Sequence, residues 1–336
     1  MSARIHQPTD RSLRNLASLL RDGELVAIPT ETVYGLAANA LDPRACRAIF
    51  RAKKRPASDP LIVHVDGLRS AEKLAVFNAP ARILARKFWP GPLTLVLPRT
   101  ELVPDIVTSG QSTVALRSPA HPIARRLLRA AGVPLAAPSA NMFGYVSPTS
   151  AEHVFAGLGR RIGHILDGGP CGVGVESTIA EVAPDGRIRV LRPGAIAAFE
   201  LVAAVRDVGG RARLARTSAR EPILAPGLLD QHYSPHTPME IRSRLPRTSA
   251  GNREDGTAII FVRRPAGALG RGVFAFSRNG SAQEVARSLY RVLREVDAGG
   301  FQRMLVEAMP VRGPSGLVGA INDRLSRAAG RRRGRS

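Results

Sequence analysis

The sequence predicts an α/β protein in two parts, a larger sheet domain and, beyond a linker, a smaller one. Three observations carry this. Short apolar runs alternate with helical leucine spacing from the N-terminus to about residue 205, the stretch 207–255 is rich in Gly, Pro, Ser and Arg, and the alternation then resumes. A chain of 336 residues can bury one large core or two ordinary ones. With 44% hydrophobic residues and 26 prolines, it is neither a disordered chain nor a coiled coil.

Leu13, Leu16, Leu19 and Leu20 predict a helix over 10–22, which leads into an apolar strand at 25–28. Further strands are predicted at PLIVHV (60–65), LTLVL (93–97), STVALR (112–117), HILD (164–167), STIAEV (177–182) and RIRVL (187–191). Helices are predicted at 43–52, 80–88 and 121–132, and another opens at Thr149, with Glu152 three positions on as a capping box. The direction of strand pairing is not encoded in these runs. Beyond the linker, GTAIIFV and GVFAFS predict strands. Ser281 and Glu284 cap a helix carrying Val285, Leu289, Val292, Leu293 and Val296 on one face. A strand at 303–308 and a helix near 316–329 follow, and no internal repeat is present. The expected organisation is a sheet domain at 1–206, a linker at 207–255, a small α/β domain at 256–330 and a basic tail at 331–336.

Lys and Arg number 49 against 27 Asp and Glu, a net charge of +22, which points to an anionic partner. Only four of the cations are lysines, and the arginines are spread over every segment, as a coding bias toward arginine would place them. Arg331, Arg332, Arg333 and Arg335 form a tail that reads as a solvated end before it reads as an RNA contact. Cys46 and Cys171 stand far apart without a CxxC partner, which excludes a disulfide framework or a cysteine zinc site and suits a reducing cytoplasm. Neither a signal peptide nor an apolar run of membrane-spanning length is visible, so no membrane association is expected.

No GxxxxGK loop, GxSxG elbow or HExxH helix occurs. His232 and His236 have helical spacing, but Pro235 between them breaks the helix that would align them, and no metal site is expected. What remains is polar side chains at strand ends. Two threonines and a glutamate interrupt PTETVYGLAAN (29–39), and by themselves they read equally as a capped turn. Lys53, Lys54 and Arg55 precede a Pro-bounded turn and a strand ending at His64, either an oligophosphate cradle or a solvated charge run. Arg117 ends a strand, Ser139 and Asn141 end the apolar run PLAAPSAN, and GVGVES (172–177) is a glycine-rich turn that is weak evidence alone.

In order, PTETVYGL, KKRP with DPLIVHV, FWPGPLTLVL, STVALRSP, PLAAPSAN, GGPCGVGVESTI and VLRPG resemble the YrdC-type threonylcarbamoyl-AMP synthases over residues 13–205. APGLLDQHYSPHTP (225–238) resembles the linker of the longer two-domain members, and GLVGAINDRL (316–325) the end of their accessory domain. The resemblance implies a twisted mixed sheet with an open, positively charged cleft, followed by a small Rossmann-like α/β domain. It implies condensation of L-threonine, bicarbonate or CO2 and ATP to threonylcarbamoyl-AMP and pyrophosphate. The product would pass to a separate transferase that modifies tRNA.

By motif position, Lys53 and Arg55 match the catalytic KxR pair. Arg55, Asp59, Thr113, Ser139, Asn141, Ser147, Arg192 and Tyr233 would contact ATP, and Thr32, His64, Arg117, Ala137 and Ser177 would hold threonine. Mg²⁺ would ride on the phosphates, since no acidic cluster offers a protein cage. Two departures stand out: Lys54 replaces the glycine of the usual KGRP, and Asp59 stands where Asn commonly precedes Pro-Leu. An RNA-binding protein using cleft and tail is the competing class; it predicts strongly salt-dependent RNA affinity. The carbamoyl-adenylate domain of hydrogenase maturation proteins ranks lower, because the two isolated cysteines cannot supply its zinc motifs.

Overall fold

A computed structural model of the chain describes residues 2–215, 233–246, 255–267, 269–311, 313 and 315–330. His232, most of the predicted linker and the 331–336 tail lie outside the described residues. The first part runs β1 (Arg4–His6), α1 (Asp10–Arg21), β2 (Val26–Ile28), β3 (Gly35–Asn39), α2 (Pro43–Lys53), β4 (Ile62–His64), α3 (Leu68–Ala71), α4 (Ala79–Phe88) and β5 (Leu93–Pro98). It continues through α5 (Asp105–Thr108), β6 (Thr113–Arg117), α6 (Pro122–Ala131), β7 (Leu135–Ala136), α7 (Ala151–Leu158), β8 (His164–Leu166), β9 (Thr178–Val182), β10 (Arg187–Arg192), α8 (Ala198–Arg206) and β11 (Arg213–Leu214). The second part comprises β12 (Met239–Arg242), β13 (Thr257–Arg263), β14 (Val273–Ser277), α9 (Ala282–Ala298), β15 (Arg303–Glu307) and α10 (Gly316–Ala329).

The first sheet is mixed, in the order β1-β8-β2-β3-β7-β4-β6-β5-β9-β10-β11; the second is all parallel, in the order β12-β15-β13-β14. The leucine spacing of α1 does what it predicts: Leu13, Leu16, Ala17 and Leu20 are buried, and Thr9 caps the helix by accepting from Ser12 N. The helix predicted to open at Thr149 starts one residue later, because Ser150 and not Thr149 accepts the capping bond, from His153 N. Residues 35–39, read as part of a turn, form β3, antiparallel to β2. The strands without a sequence signal, β1, β7, β11 and β12, are two to four residues long, too short for an alternation to register. β12 lies within the stretch read as linker, at the edge of the second sheet.

Lys54, where the resemblance expects glycine, caps α2 in the left-handed region with φ 52° and ψ 38°. A side chain there is disfavoured by about 1–2 kcal/mol, partly offset by the larger unfolded-state freedom of glycine. Lys54→Gly is therefore expected to stabilise the protein by about 0.5–1 kcal/mol in urea denaturation, and a destabilised variant would refute this account.

One core cluster joins the two parts. Val33, Val146 and Val175 of the first pack with Val285, Leu289 and Ile321 of the second, and Tyr233 lies in the same cluster. Val33 follows Thr32 and Val175 stands two positions before Ser177, both predicted to bind substrate, so the second part packs directly behind the candidate site.

Candidate active site

Strand alternation and register together build the site. β4 and β6 are parallel with Ile62 opposite Ala115 and His64 opposite Arg117, so these four side chains share one face of the sheet. Their neighbours Val63, Val114 and Leu116 turn to the opposite face and the main core. On the site face, Ile62, Val96, Ala115, Ile179 and Leu191 form a small apolar floor. A register shift between Val190 and Arg192 brings Arg192 to that face beside Leu191. Above the floor, a cavity is lined by Thr32, Arg55, His64, Arg117, Ala137, Ser139, Ser177, Arg192 and Tyr233, all expected from the sequence. Thr30, Glu176 and Pro138, which no motif singled out as ligands, complete much of the wall.

Arg117 is 4% exposed. Its Nη1 donates to Thr32 Oγ1 at 2.8 Å, its Nε donates to Gly91 O at 3.3 Å, and its Nη2 lies 2.7 Å from Glu31 Oε1. Burial alone would raise the Glu31 carboxyl, but the Arg117 charge and hydrogen bond prevail and lower it. Thr30 Oγ1 donates to Val33 O at 2.6 Å and lies 2.9 Å from Thr32 Oγ1, so the interrupting threonines fold the turn and present Thr32 together. On the other wall, Arg192 Nε donates to Ser177 O and its Nη2 to Ser177 Oγ, each at 3.2 Å, while Ser177 Oγ lies 2.8 Å from Thr94 Oγ1.

Five expected ligands do not line the cavity. Asp59 is the buried counter-ion of Arg55: Nη2 lies 2.8 Å from Asp59 Oδ2, and the same guanidinium donates to the Asp59 and Pro60 carbonyls. Its carboxylate is spent on Arg55, which removes the repulsion that an acid near a triphosphate would otherwise cause. Lys53, expected at the phosphates, points inward from the last turn of α2, and its Nζ donates to the Ser139 and Asn141 carbonyls. Burial and the neighbouring Arg55 push its ammonium well below the ordinary lysine range. Asn141 donates to Met142 O and Tyr145 O at 2.8 Å each, closing its own loop, and Ser147 Oγ donates to Glu176 Oε1 at 2.7 Å. Thr113 sits at the far end of the site face.

Tyr233 adopts a positive φ of 64°, is buried, and stacks on Tyr290 of α9 at 5.8 Å between ring centroids. With it in place, the cavity offers only about 40 Å³ to solvent, on the scale of a water or two. Glu176 is the best-satisfied acid of the site: Tyr290 OH and Arg324 Nε each donate to Oε2 at 2.8 Å. Burial opposes its charge, but the Arg324 and Arg192 guanidinium groups and the hydrogen bonds from Arg324 and Ser147 bring it down to about 2. The signal for Glu176 was in GVGVES, one residue before Ser177, and that for Arg324 in GLVGAINDRL, where it was not read as part of the site; none existed for Tyr290.

Two of these groups set an acid limit. Glu176 titrates at about 2 against an ordinary 4.5, so the stability it contributes is present above pH 4.5 and lost as pH falls toward 2. Burial and the Arg117 charge lower His64 to about 3 from 6.5, so between those values the unfolded chain takes a proton that the native imidazole refuses. Both effects have the same sign. The thermal midpoint is expected to fall steadily from pH 6.5 to 3, with Glu176→Gln flattening only the part below 4.5; a midpoint that rises on acidification contradicts both assignments.

Among the described residues no group of three or more His, Cys, Asp or Glu could hold a metal, and no helix is long and apolar enough to cross a membrane. Residues 18–194 match the Sua5/YciO/YrdC family model, described as telomere recombination, and residues 196–330 match the model for the threonylcarbamoyl-AMP synthase C-terminal domain. Threonylcarbamoyl-AMP synthase of Pyrococcus abyssi is 38% identical, the match covering 95% of this chain and 94% of that protein. The Bacillus subtilis protein of the same name is 39% identical over 96% and 94%. A crystal structure of P. abyssi Sua5 complexed with L-threonine superimposes with a TM-score of 0.85 at 36% identity, covering 98% of each chain. Fold and matches together define a transferase of the Sua5/YrdC class. Within that class the chain belongs to the threonylcarbamoyl-AMP synthase family, in the form that carries the C-terminal domain.

Proposed function

We propose that this chain makes threonylcarbamoyl-AMP from L-threonine, CO2 or bicarbonate, and ATP, and that its product serves a tRNA-modifying transferase. The carrying observation is the cavity itself: on one sheet face, Arg117 with Thr32 and His64 faces Arg55 and Arg192 across an apolar floor. The first group suits an amino acid and the second a polyphosphate. In the reaction the threonine ammonium gives one proton to solvent, its nitrogen bonds to the CO2 carbon and gives up a second, and an oxygen of the resulting carbamate bonds to the α-phosphorus. The bond from that phosphorus to the bridging oxygen breaks, and its electron pair leaves with pyrophosphate.

No protein nucleophile is required; the work is orientation and charge stabilisation. Arg117 and Thr32 hold the threonine carboxylate and hydroxyl region, and the neutral His64 serves as a hydrogen-bonding partner. Arg55 and Arg192 meet the phosphates with Ser139, while Ser177, which stays with threonine, is hydrogen-bonded to Arg192 between the two substrates. Lys53 acts at one remove by bracing the Ser139–Asn141 loop, and the Tyr233 segment closes over ATP after swinging out to admit it. The nearby carboxylates Asp59, Glu31 and Glu176 are each committed to an arginine, so the residues present do not suit a protein-held cation. Mg²⁺ would enter with the nucleotide, and no step is routed through it.

The test is pyrophosphate release by the purified chain with ATP, bicarbonate and magnesium. Release that depends on threonine is expected, with serine a much poorer substrate; release indifferent to threonine would reject the assignment.

A further inference from the structure

Among the side chains of the second domain that reach the wall of the site, Arg324 ties together the largest set of its segments. Arg324 of α10 is 1% exposed, and its hydrogen bonds go to separate chain segments that border the cavity. Nε donates to Glu176 Oε2 at 2.8 Å, directly before Ser177. Nη2 donates to Pro193 O at 2.9 Å, directly after Arg192. The guanidinium carbon lies 5.1 Å from the centre of the Tyr233 ring. Nη1 donates to Asp323, its neighbour on α10. Through Glu176 the same cluster takes in Ser147 Oγ at 2.7 Å and Tyr290 OH at 2.8 Å.

Cohesion between the domains does not call for such a charge. A buried ion pair is commonly matched or exceeded in stability by apolar residues of similar volume, and the surrounding interface already packs valines, leucine and isoleucine. What a guanidinium adds is direction, since its planar donors hold their acceptors at set angles where a lysine or an apolar side chain would not.

We propose that Arg324 is a positioning residue supplied by the C-terminal domain, which sets Arg192, Ser147 and Tyr233 on the nucleotide side of the cavity. The proposal rests on reading that cavity as the ATP–threonine site. Arg324 has its effect through Glu176, the Pro193 carbonyl and the tyrosine ring, and makes no contact with substrate. The threonine carboxylate anchor, Arg117, is held by Glu31, Thr32 and Gly91 and is independent of it. The two substrates should therefore respond differently to its loss.

Replacing Arg324 alone strands the Glu176 charge, so the decisive variant is the double one, Glu176→Gln with Arg324→Met, which removes both charges of the pair together, with Glu176→Gln alone as its control for the loss of the acid beside Arg192. In steady-state pyrophosphate release by the full chain, it is expected to raise KM for ATP at least tenfold and KM for threonine less than threefold, with a thermal midpoint near the wild-type value. Arg324→Lys, which keeps the charge and loses the fork, should recover only part of the loss. A double variant with wild-type KM for ATP overturns the proposal, as does one in which only kcat falls, the mark of a smaller folded fraction. Calorimetric titration with Mg-ATP separates this inference from the assigned reaction. If wild type releases no threonine-dependent pyrophosphate, the reaction is wrong; equal ATP affinity in wild type and double variant rejects the positioning role whatever the reaction is.

Discussion

Arg55→Ala is expected to reduce threonine-dependent pyrophosphate release below detection and to destabilise the fold, for two separable reasons. In the fold, Arg55 and Asp59 form an ion pair with both side chains almost fully buried. Removing the cation leaves Asp59 buried without its ion-pair partner, at a cost of about 3–5 kcal/mol unless the carboxyl takes a proton. Burial already raises the Asp59 carboxyl against the pull of Arg55, Lys53 and Arg192, so losing Arg55 raises it further. In the reaction, Arg55 is a cation at the wall assigned to the phosphates, and its loss removes stabilisation where negative charge accumulates.

The two contributions can be told apart by a double variant, Arg55→Met with Asp59→Leu, which removes both charges and keeps the volume. Its thermal midpoint should return to within a few degrees of wild type while pyrophosphate release stays absent. Recovery of activity along with stability would mean that Arg55 serves the fold alone. Asp59→Asn is expected to retain part of the activity, because the amide oxygen still accepts from the guanidinium and a net cation is left facing the nucleotide.

The second large effect is expected at Gly174. Its φ is +83°, and a Cβ there would lie 2.3 Å from Ala286 O and 2.5 Å from Arg287 Cα, both backbone atoms of α9. Neither the conformation nor the spacing can adapt cheaply, since a helix backbone would have to shift. Gly174→Ala should cost roughly 2–5 kcal/mol from the left-handed conformation and overpacking combined. That corresponds to a thermal midpoint lower by about 3–7 °C. The loop also carries Glu176 and Ser177, and Val173 N donates to Glu31 O at 2.7 Å, so pushing it off α9 disturbs both substrate sides and should lower activity at least tenfold. Gly172, two positions earlier, has nothing within 4 Å of its would-be Cβ. Gly172→Ala is therefore expected to behave as wild type, and equal damage at both glycines would show that generic loop stiffness, not the contact with α9, is the cause.

That pair of glycines marks the limit of what could be read along the chain. GVGVES was visible as a glycine-rich turn, but only the packing of α9 against it separates an obligatory glycine from a dispensable one. The same holds for the charged residues. KKRP announced a cationic cluster; the structure sends Lys53 inward to two carbonyls, gives Arg55 a buried partner and sets Lys54 on a strained cap. Arg117 and His64 were each legible as strand-ending polar residues, yet their convergence follows from the pairing of β4 with β6, which neither segment encodes alone.

By itself the sequence determined the alternation of strands and helices, the division into a larger and a smaller α/β part, and the order of motifs that places the chain in its family. These are local properties, set by side-chain periodicity, turn chemistry and capping within a few residues. Tertiary structure alone decided which strand ends meet on one face, which cations keep a surface on the cavity, and how Arg324 comes to stand behind Glu176, 148 positions away. The physical reason is that register and the pairing of buried charges are long-range: each is settled by the partner that satisfies it, and that partner is brought near only by the folded chain.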